Sequence, residues 1–384
     1  MTKKLAIIGA GPAGLCLANT LIQHTDLDVQ VFERDAHINA KPQGGSLDVH
    51  VEAQEALRAA GVYEQFALHA RCGDQEDVIL DKHASKHVHM RAESGYKNEN
   101  ENNNKNKPEI DRTALRHFLC DALPEGVIRW DTKVDKVEQA TQGSPATIHF
   151  DGNKHSFDLV VGADGAWSKV RPLLHTIPPF YSGVSCYEGN LRDASVKQAQ
   201  EDFSDVFCNG TTFILAETDG LMVIQKNSGD CYKVYVYKSK PEAWAREAGI
   251  EEPSALRAAM LDDIKDWSPK LHGVVRALNI DIFKRAMYML PSGIMWESKP
   301  SITVVGDAAS LQTPFAGQGV NLALIQAHKL AQSLVSHKEN QLLAVQDYEK
   351  WMHDEANSKM TLTWTNLQMF MNKGAIAKLK QFVA

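Results

Sequence analysis

Short apolar runs and helical segments alternate at the start of the chain. Residues 5–8 are an apolar run that ends at a glycine, residues 13–22 have helical character, and residues 29–32 alternate apolar and polar positions. This pattern predicts a strand, a tight turn, a helix and a second strand in succession. The same α/β pattern returns near the C-terminus, with a strand expected at residues 302–305 and a helix at residues 317–336.

The middle of the chain has a different pattern. From about residue 180 to residue 290, strand-like runs dominate, and one helix near residues 254–267 interrupts them. The expected strands are residues 211–215, 221–225, 232–237 and 280–289. We therefore expect a separate sheet in this region, followed by mostly helical structure from residue 343 onwards.

Composition and charge narrow the class of protein. The 384 residues include 43% hydrophobic and 23% charged residues, as in ordinary globular proteins. The formal net charge of -7 disfavours a nucleic-acid partner. The six cysteines form no C-x-x-C pair, which indicates reduced thiols in a cytoplasmic protein. No run of about 18 apolar residues is present, so we expect no membrane partner.

Two polar features carry no functional assignment. Residues 96–107 are almost wholly polar and cannot bury one face, so we expect an exposed loop there. His83, His87 and His89 have metal-like spacing, but no cysteine or carboxylate pattern supports them. We therefore assign no metal site.

The first motif with chemical meaning is a G-x-G-x-x-G between the first strand and the first helix, at residues 9–14. Gly9 allows the tight turn, and Gly11 lets the backbone approach a pyrophosphate. Gly14 lets the helix pack close to the strand. The motif predicts a dinucleotide site.

The residues around this motif agree with that prediction. The helix begins at Pro12 and Ala13, so its N-terminal N–H groups and dipole point at the phosphates. Glu33 ends the second strand about 20 residues downstream, where a carboxylate suits the hydroxyls of an adenosine ribose. We assign Glu33 and its neighbour Arg34 to the cofactor.

Two later motifs distinguish between the possible dinucleotides through their resemblance to a known family, which implies FAD. Residues 162–171 follow a strand and match the pattern D-G-x-x-S-x-x-R at Asp164, Gly165, Ser168 and Arg171. Residues 306–309, Gly-Asp-Ala-Ala, also follow a strand. The three motifs, in this order, resemble those of the class A FAD-dependent monooxygenases, the para-hydroxybenzoate hydroxylase-like group.

Three further segments are most similar to the tetracycline-inactivating flavin monooxygenases. Residues 44–50 (G-G-S-L-D-V-H) resemble their G-G-T-L-D-L-H, and residues 108–112 (P-E-I-D-R) resemble their P-E-I-N-R. Residues 314–321 (P-F-A-G-Q-G-V-N) are similar to their P-F-A-G-Q-G-V-N segment. The resemblance implies that Arg112 contacts FAD, that Asp307 holds the ribityl chain and that Asp48 lies near the flavin. The complete set expected at the cofactor is Gly9, Gly11, Pro12, Ala13, Gly14, Glu33, Arg34, Gly45, Asp48, Arg112, Asp164, Gly165, Asp307, Pro314, Gly317, Gly319, Val320 and Asn321.

The segment from Gly317 to Gly319 also has a physical interpretation of its own. It opens a helix, so free N–H groups and the positive end of the dipole face outwards. Reduced flavin carries negative charge at one edge of its ring, and a helix N-terminus placed there stabilises that charge. Glycines allow the close approach.

The substrate side departs from the tetracycline enzymes. Ser310 stands where many relatives have histidine, and a rough alignment places Glu188, Thr212 and Lys233 where those enzymes have Gln, Arg and His. The expected substrate contacts are Glu188, Thr212, Lys233, Pro314, Phe315 and Gly317. No side chain is assigned as catalytic, because the flavin performs the chemistry.

The resemblance completes the expected architecture. It is an α/β fold with a discontinuous Rossmann-like FAD-binding domain, an inserted and mainly β substrate domain, and C-terminal helices. The expected boundaries are 1–178 and 291–340 for the FAD-binding domain, 179–290 for the substrate sheet and 341–384 for the C-terminal helices.

The implied activity is hydroxylation of an aromatic or polyketide small molecule by O2, through a flavin hydroperoxide. NADPH or NADH is the expected reductant, and the protein is expected to be a monomer. Tetracycline inactivation, and thus antibiotic resistance, is the leading named candidate. Two alternatives stay open: a flavin-dependent reductase or dehydrogenase of the same fold, and a non-enzymatic flavin-binding redox protein. The Asp164-Gly165 motif disfavours the first, and the segment from Gly317 to Gly319 disfavours the second.

Overall fold

A computed structural model of the protein shows two compact units. The described residues are 3–40, 44–73, 75–90, 107–139, 141, 144–246, 252–279 and 281–383. Unit 1 comprises residues 1–70, 112–180 and 288–363, and unit 2 comprises residues 71–111, 181–287 and 364–384. Most of the polar loop expected at residues 96–107 lies outside the described residues.

Strands and helices are numbered in chain order. The strands are β1 (Lys4–Ile8), β2 (Asp28–Phe32), β3 (Ser46–Asp48), β4 (Glu76–Asp81), β5 (Lys86–Met90), β6 (Glu109–Asp111), β7 (Ile128–Arg129), β8 (Lys136–Gln139), β9 (Ala146–Phe150), β10 (Asn153–Phe157), β11 (Leu159–Gly162), β12 (Phe180–Leu191), β13 (Gly210–Leu215), β14 (Leu221–Asn227), β15 (Cys231–Ser239), β16 (Phe283–Met289) and β17 (Ile302–Val304). The helices are α1 (Pro12–His24), α2 (Val51–Ala59), α3 (Tyr63–His69), α4 (Arg112–Asp121), α5 (Ala194–Phe203), α6 (Glu242–Arg246), α7 (Pro253–Asp263), α8 (Pro269–Ala277), α9 (Asp307–Ser310), α10 (Gly319–Ser336), α11 (Gln341–Phe370) and α12 (Ala375–Val383).

Unit 1 is built on a parallel sheet with the strand order β17-β11-β1-β2-β7. Leu5, Ala6 and Ile7 of the central strand are at most 2% exposed, because helices cover parallel sheets on both faces. Helices α1 and α10 pack against each other in this unit. The α/β fold with a Rossmann-like domain and C-terminal helices is therefore confirmed.

Unit 2 contains a mixed sheet with the strand order β16-β12-β15-β14-β13-β4-β5. Side chains alternate between its two faces. One face, the covered face, packs against helices α5, α7 and α8 through buried residues such as Tyr187, Ile224 and Val234. The opposite face carries Glu188 and Lys233, and we call it the polar face. It also includes Asn190, Tyr235 and Arg285.

The middle of the chain holds more helix than the single one expected there. The helix expected at residues 254–267 ends at Asp263, and a second helix, α8, starts at Pro269. The Ser268 side chain caps α8 by accepting a hydrogen bond from the Lys270 N–H, which is a helix start signal. Helix α5 buries Val196 and Ala199, three residues apart.

The expected domain boundaries stay a prediction. The structure adds that residues 71–111 belong to unit 2, because β4 pairs in parallel with β13, far along the chain. No helix among the described residues has the length and apolar character needed to cross a membrane.

Candidate functional site

The loops that carry the sequence motifs meet at the carboxyl edge of the parallel sheet in unit 1. They follow β1, β2, β11 and β17, which form an unbroken run of neighbours. The hydrogen bonds that tie these loops together, each 2.8 Å long, run from Gly9 N to Phe32 O, from Ala163 N to Ile8 O and from Val305 N to Gly162 O. Ligands of open α/β sheets bind at this edge.

The three glycines of the first loop serve different purposes. Gly9 has a φ of 109°, and a Cβ there would lie 2.4 Å from the Ala163 oxygen. A Cβ on Gly14 would lie 2.1 Å from the Gly9 oxygen. A Cβ on Gly11 would meet no described atom within 4 Å. The fold itself thus requires glycine at positions 9 and 14, whereas position 11 borders open space.

Helix α1 begins at this open space. Gly11 is its N-cap and Pro12 its first residue, and no side chain among the described residues caps it. The first helical bond runs from Leu15 N to Gly11 O, so the N–H groups of Ala13 and Gly14 have no helical acceptor. Such donors, with the positive end of the helix dipole, form a phosphate site.

The charged side chains of Glu33 and Arg116 hold the glycine loop in place, and of these two only Arg116 had no predicted role. The Glu33 carboxylate accepts hydrogen bonds from Ala10 N at 2.7 Å and from Asp35 N at 2.9 Å. The Arg116 guanidinium donates to Ala10 O at 3.0 Å, so the Ala10 peptides are held from both sides. Arg34 is exposed. The expected contacts of Glu33 and Arg34 with the cofactor stay predictions, and nothing local marked Arg116 on an ordinary amphipathic helix.

The second motif forms a turn after β11. Asp164 accepts a hydrogen bond from Lys169 N at 2.6 Å through Oδ2. Its Oδ1 is buried and has no hydrogen-bond partner in the described part of the chain. Burial raises the pKa of the Asp164 carboxyl, although hydrogen bonds from Ser168 and the backbone oppose the rise. One carboxylate oxygen is thus left for a ligand donor.

Arg171, the last residue of this motif, joins it to the third. The residue is 4% exposed, and its guanidinium donates to Ala166 O at 2.6 Å and to Ala308 O at 3.2 Å. Ser168 positions Arg171 by accepting its N–H at 3.1 Å. The spacing of the motif therefore places Arg171 where it links the loop after β11 to the loop after β17.

The third motif places Asp307 at the start of α9. Its side chain is exposed, yet burial raises the pKa of its carboxyl, against the opposing charges of Arg112 and Arg171. The adjacent Gly306 N–H donates to the Gln326 side chain at 2.7 Å, and Gln326 donates to Ser310 Oγ at 3.0 Å. Ser310 thus supports the loop through a partner that the sequence did not reveal.

The N-terminus of α10 lies beside β3. Gly317 has a φ of 62°, and no described atom lies within 4 Å of a Cβ built on Gly319. Asn321 is 1% exposed and ties the helix to β3, donating to Asp48 O at 2.9 Å and accepting from His50 N at 2.8 Å. Asp48 Oδ2 consequently lies 4.0 Å from a Cβ built on Gly317.

Arg112 stands at the start of α4. Its N–H donates to Gly45 O at 3.3 Å. Its side-chain Nε is buried without a hydrogen-bond partner among the residues that the structure describes. A buried cationic donor without an acceptor is costly, so an anionic or carbonyl acceptor from a ligand would complete it.

These features fit FAD. The N-termini of α1 and α10 offer uncapped N–H groups, with open space at Gly11 and Gly319. Arg112 Nε lacks an acceptor and Asp164 Oδ1 lacks a donor in the described residues. Phosphates, ring carbonyls and sugar hydroxyls supply these complementary groups. The individual cofactor contacts stay predictions.

Comparison with known proteins agrees with this assignment. The family described as "FAD binding domain" matches residues 2–349. Monooxygenase asqM of Emericella nidulans is 30% identical over 445 aligned positions, which cover 97% of this chain and 96% of that protein. The chain belongs to this family. It is a flavin-dependent monooxygenase, as predicted, and not one of the two alternatives.

Two solved structures share the fold of this monooxygenase. Klebsiella pneumoniae HpxO, complexed with FAD and uric acid, has a TM-score of 0.80 at 18% identity and covers 98% of this chain and 91% of its own. Tetracycline destructase Tet(51) has a TM-score of 0.69 at 18% identity and covers 97% of this chain and 92% of its own. At this identity, the likeness shows the fold alone.

The expected substrate residues of the monooxygenase lie in both units. In unit 1, Pro314 is exposed and Phe315 is 9% exposed at the turn before Gly317. In unit 2, Glu188 and Lys233 share the polar face. Thr212 does not, because it is 0% exposed on the covered face and its hydroxyl donates to Cys208 Sγ at 3.3 Å.

Proposed function

We propose that this monooxygenase uses FAD, NADPH or NADH, and O2 to hydroxylate an electron-rich aromatic or polyketide compound. One oxygen atom enters the substrate, and the other leaves as water with the two electrons of the nicotinamide. The observation that carries the proposal is the meeting of the motif loops after β1, β2, β11 and β17 at one sheet edge. The similarity to the monooxygenase asqM supports it.

FAD, when bound, supplies the reaction with O2 that no side chain can perform. The residues of the chain bind and orient it. The N–H groups of Ala13 and Gly14 would receive the pyrophosphate, and the Asp307 carboxylate would accept a hydrogen bond from the ribityl hydroxyls. Arg112 Nε would donate to a cofactor oxygen. The N-terminus of α10 would favour negative charge at the edge of the flavin ring, as an oxyanion hole does.

The proposed substrate contacts of unit 1 include the Phe315 ring, and those of unit 2 lie on its polar face. Phe315 packs against the rings of the substrate, and aromatic pairs of this kind contribute about 0.5–1.5 kcal/mol beyond area burial. Glu188 and Lys233 belong to this polar face, where they are bonded to each other. Tetracyclines are a candidate substrate class because of the segments at residues 44–50 and 314–321. Thr212 is not part of this proposal, since its side chain lies on the covered face.

The test is oxidation of NADPH and of NADH by the purified, FAD-loaded protein against a panel of phenols, polyketides and tetracyclines. Labelled O2 and mass spectrometry then show whether the product has gained one oxygen atom from the gas. We expect one class of the panel to stimulate oxidation and to gain labelled oxygen.

Different outcomes remove different parts of the proposal. Stimulated oxidation that yields only peroxide, with every compound unchanged, would contradict hydroxylation of these classes. Hydroxylated phenols with unaltered tetracyclines would remove the tetracycline candidate and leave the rest.

A further inference from the structure

A group of charged side chains crosses neighbouring strands on the polar face of unit 2. Glu188 of β12 accepts a hydrogen bond from Lys233 Nζ of β15 at 2.5 Å through Oε1. Its other oxygen, Oε2, accepts from Arg285 Nε of the edge strand β16. One carboxylate therefore holds two cations, and the group has a net charge of +1.

Glu188 is ionised in this group. It is 3% exposed, and burial alone would raise the pKa of its carboxyl, but the hydrogen bonds and charges of Lys233 and Arg285 lower that pKa overall. A buried carboxylate paired on both oxygens has no remaining demand for a ligand. The excess positive charge lies on its partners.

Of these partners, Arg285 is the one open to a ligand. The side chain of Lys233 is 11% exposed, whereas that of Arg285 is 52% exposed. Arg285 spends its Nε on Glu188, and its two terminal nitrogens make no hydrogen bond with any described residue. Those terminal nitrogens form the edge of the guanidinium that binds a carboxylate or a similar pair of oxygens in a two-pronged manner.

We propose that Arg285 is a specificity-determining residue that recognises an anionic oxygen group on the substrate, and that Glu188 positions it. The group would be a carboxylate or an ionised enol attached to an aromatic ring system. Tyr235, directly opposite Glu188 in the strand register, lies on the same face and offers an aromatic neighbour. This inference rests on the proposed function, because it assumes that the polar face receives the substrate.

The chain offers a matched control one residue away. Lys284 precedes Arg285 on β16 and carries the same charge, but its Nζ lies 4.5 Å from the centre of the Trp244 ring. Trp244 packs against Tyr187 of the covered face, so Lys284 points to the opposite side of the sheet. Lys284→Gln therefore removes the same charge without touching the polar face.

The experiment measures binding without turnover, in the FAD-loaded protein and in the absence of reductant. Changes in flavin absorbance would follow titrations with a hydroxynaphthoate and with the neutral hydroxynaphthamide of the same ring. Lawsone, an ionised enol, and its neutral methyl ether form the second pair and distinguish the two kinds of anion. Flavin content and circular dichroism of each variant check the fold.

We expect the anionic member of at least one pair to bind more tightly in the wild type. Arg285→Gln should lower the affinity for that anion by about tenfold to a hundredfold, which is the contribution of a hydrogen bond to a charged group. The affinity for the neutral compound should change by less than about twofold. The anion affinity of Arg285→Lys should lie between those of the wild type and Arg285→Gln, because lysine keeps the charge but loses the planar pair of donors. Lys284→Gln should leave the affinities for both the anionic and the neutral compound within about twofold of the wild type.

Equal affinity for anion and neutral partner in the wild type would overturn the inference. So would an equal effect of Arg285→Gln and Lys284→Gln, since that result reflects net charge and not a contact. Anion-selective binding through Arg285 without any incorporation of labelled oxygen would instead contradict the proposed function and leave this binding role intact. The two failures are therefore distinguishable.

Discussion

Substituting valine for Gly11 should weaken FAD binding at least tenfold while leaving the protein folded. Gly11 has φ -81° and ψ 175°, an extended conformation that any residue adopts, and no described atom lies within 4 Å of a Cβ built there. The Cβ would therefore meet no atom in the part of the chain that the structure describes. It would occupy the space through which a pyrophosphate reaches the N-terminus of α1.

The neighbouring glycines provide the contrast. A Cβ on Gly9 would lie 2.4 Å from the Ala163 oxygen, in a backbone conformation with φ 109°. A Cβ on Gly14 would lie 2.1 Å from the Gly9 oxygen. Forcing atoms into packed structure costs about 1–3 kcal/mol, and the backbone strain at Gly9 adds about 1–2 kcal/mol. Gly9→Ala and Gly14→Ala should thus destabilise the apoprotein itself.

For Gly11→Val, the expected cost to the apoprotein is at most about 1 kcal/mol, the range of a changed N-cap. Losing one hydrogen bond to a phosphate costs about 1.5–3 kcal/mol, so FAD affinity should fall at least tenfold. Urea denaturation of the apoproteins and FAD titration of each variant measure the two quantities. A Gly11→Val protein that binds FAD as the wild type does, or that unfolds as readily as Gly14→Ala, would refute the reasoning.

Two further predictions concern carboxyl groups of unit 1. Asp307→Ala should weaken flavin binding by about 1.5–3 kcal/mol, so the flavin occupancy of the purified protein should fall. Full flavin occupancy together with the loss of a pH-dependent step would contradict the role assigned to Asp307. Burial raises the pKa of the Glu349 carboxyl, although Ser298 and Thr303 donate hydrogen bonds to it, so the folded state favours the protonated form. The stability that this preference contributes is present below the unfolded pKa of about 4.3 and falls as pH rises through the folded pKa. Glu349→Gln should therefore have a higher Tm than the wild type at about pH 8, with the difference shrinking towards about pH 4, and a constant difference would count against this account.

The sequence was sufficient for the parts of the fold whose signals are local. The apolar strand β1, the glycine turn and helix α1 follow one another within a short segment, so their pattern predicted them. The motifs at Asp164 and Asp307 were identified by resemblance, and each directly follows a strand. Because carboxyl ends of neighbouring parallel strands share one edge, the meeting of these loops follows from the fold.

The rest depends on contacts between distant residues. The parallel pairing of β4 with β13 joins segments more than a hundred positions apart, and no local pattern encodes it. In the sequence, Arg116 and Gln326 look like ordinary helix residues. In the structure, Arg116 donates a hydrogen bond to Ala10 O, and Gln326 accepts one from Gly306 N. Thr212 illustrates the sensitivity of strands, since a shift of one position moves a side chain from one face to the other.

The motif residues of unit 1 divide into those whose polar groups the protein satisfies and those it leaves open. Glu33 and Arg171 form hydrogen bonds with the backbone of the loops and so fix the shape of the site. Arg112 Nε and Asp164 Oδ1 are buried without partners among the described residues. Each such atom costs about 1–3 kcal/mol in the apoprotein, and a cofactor that pairs with it removes that cost. Binding of FAD therefore couples to folding, so Arg112 and Asp164 should contribute more to the stability of the holoprotein than to that of the apoprotein.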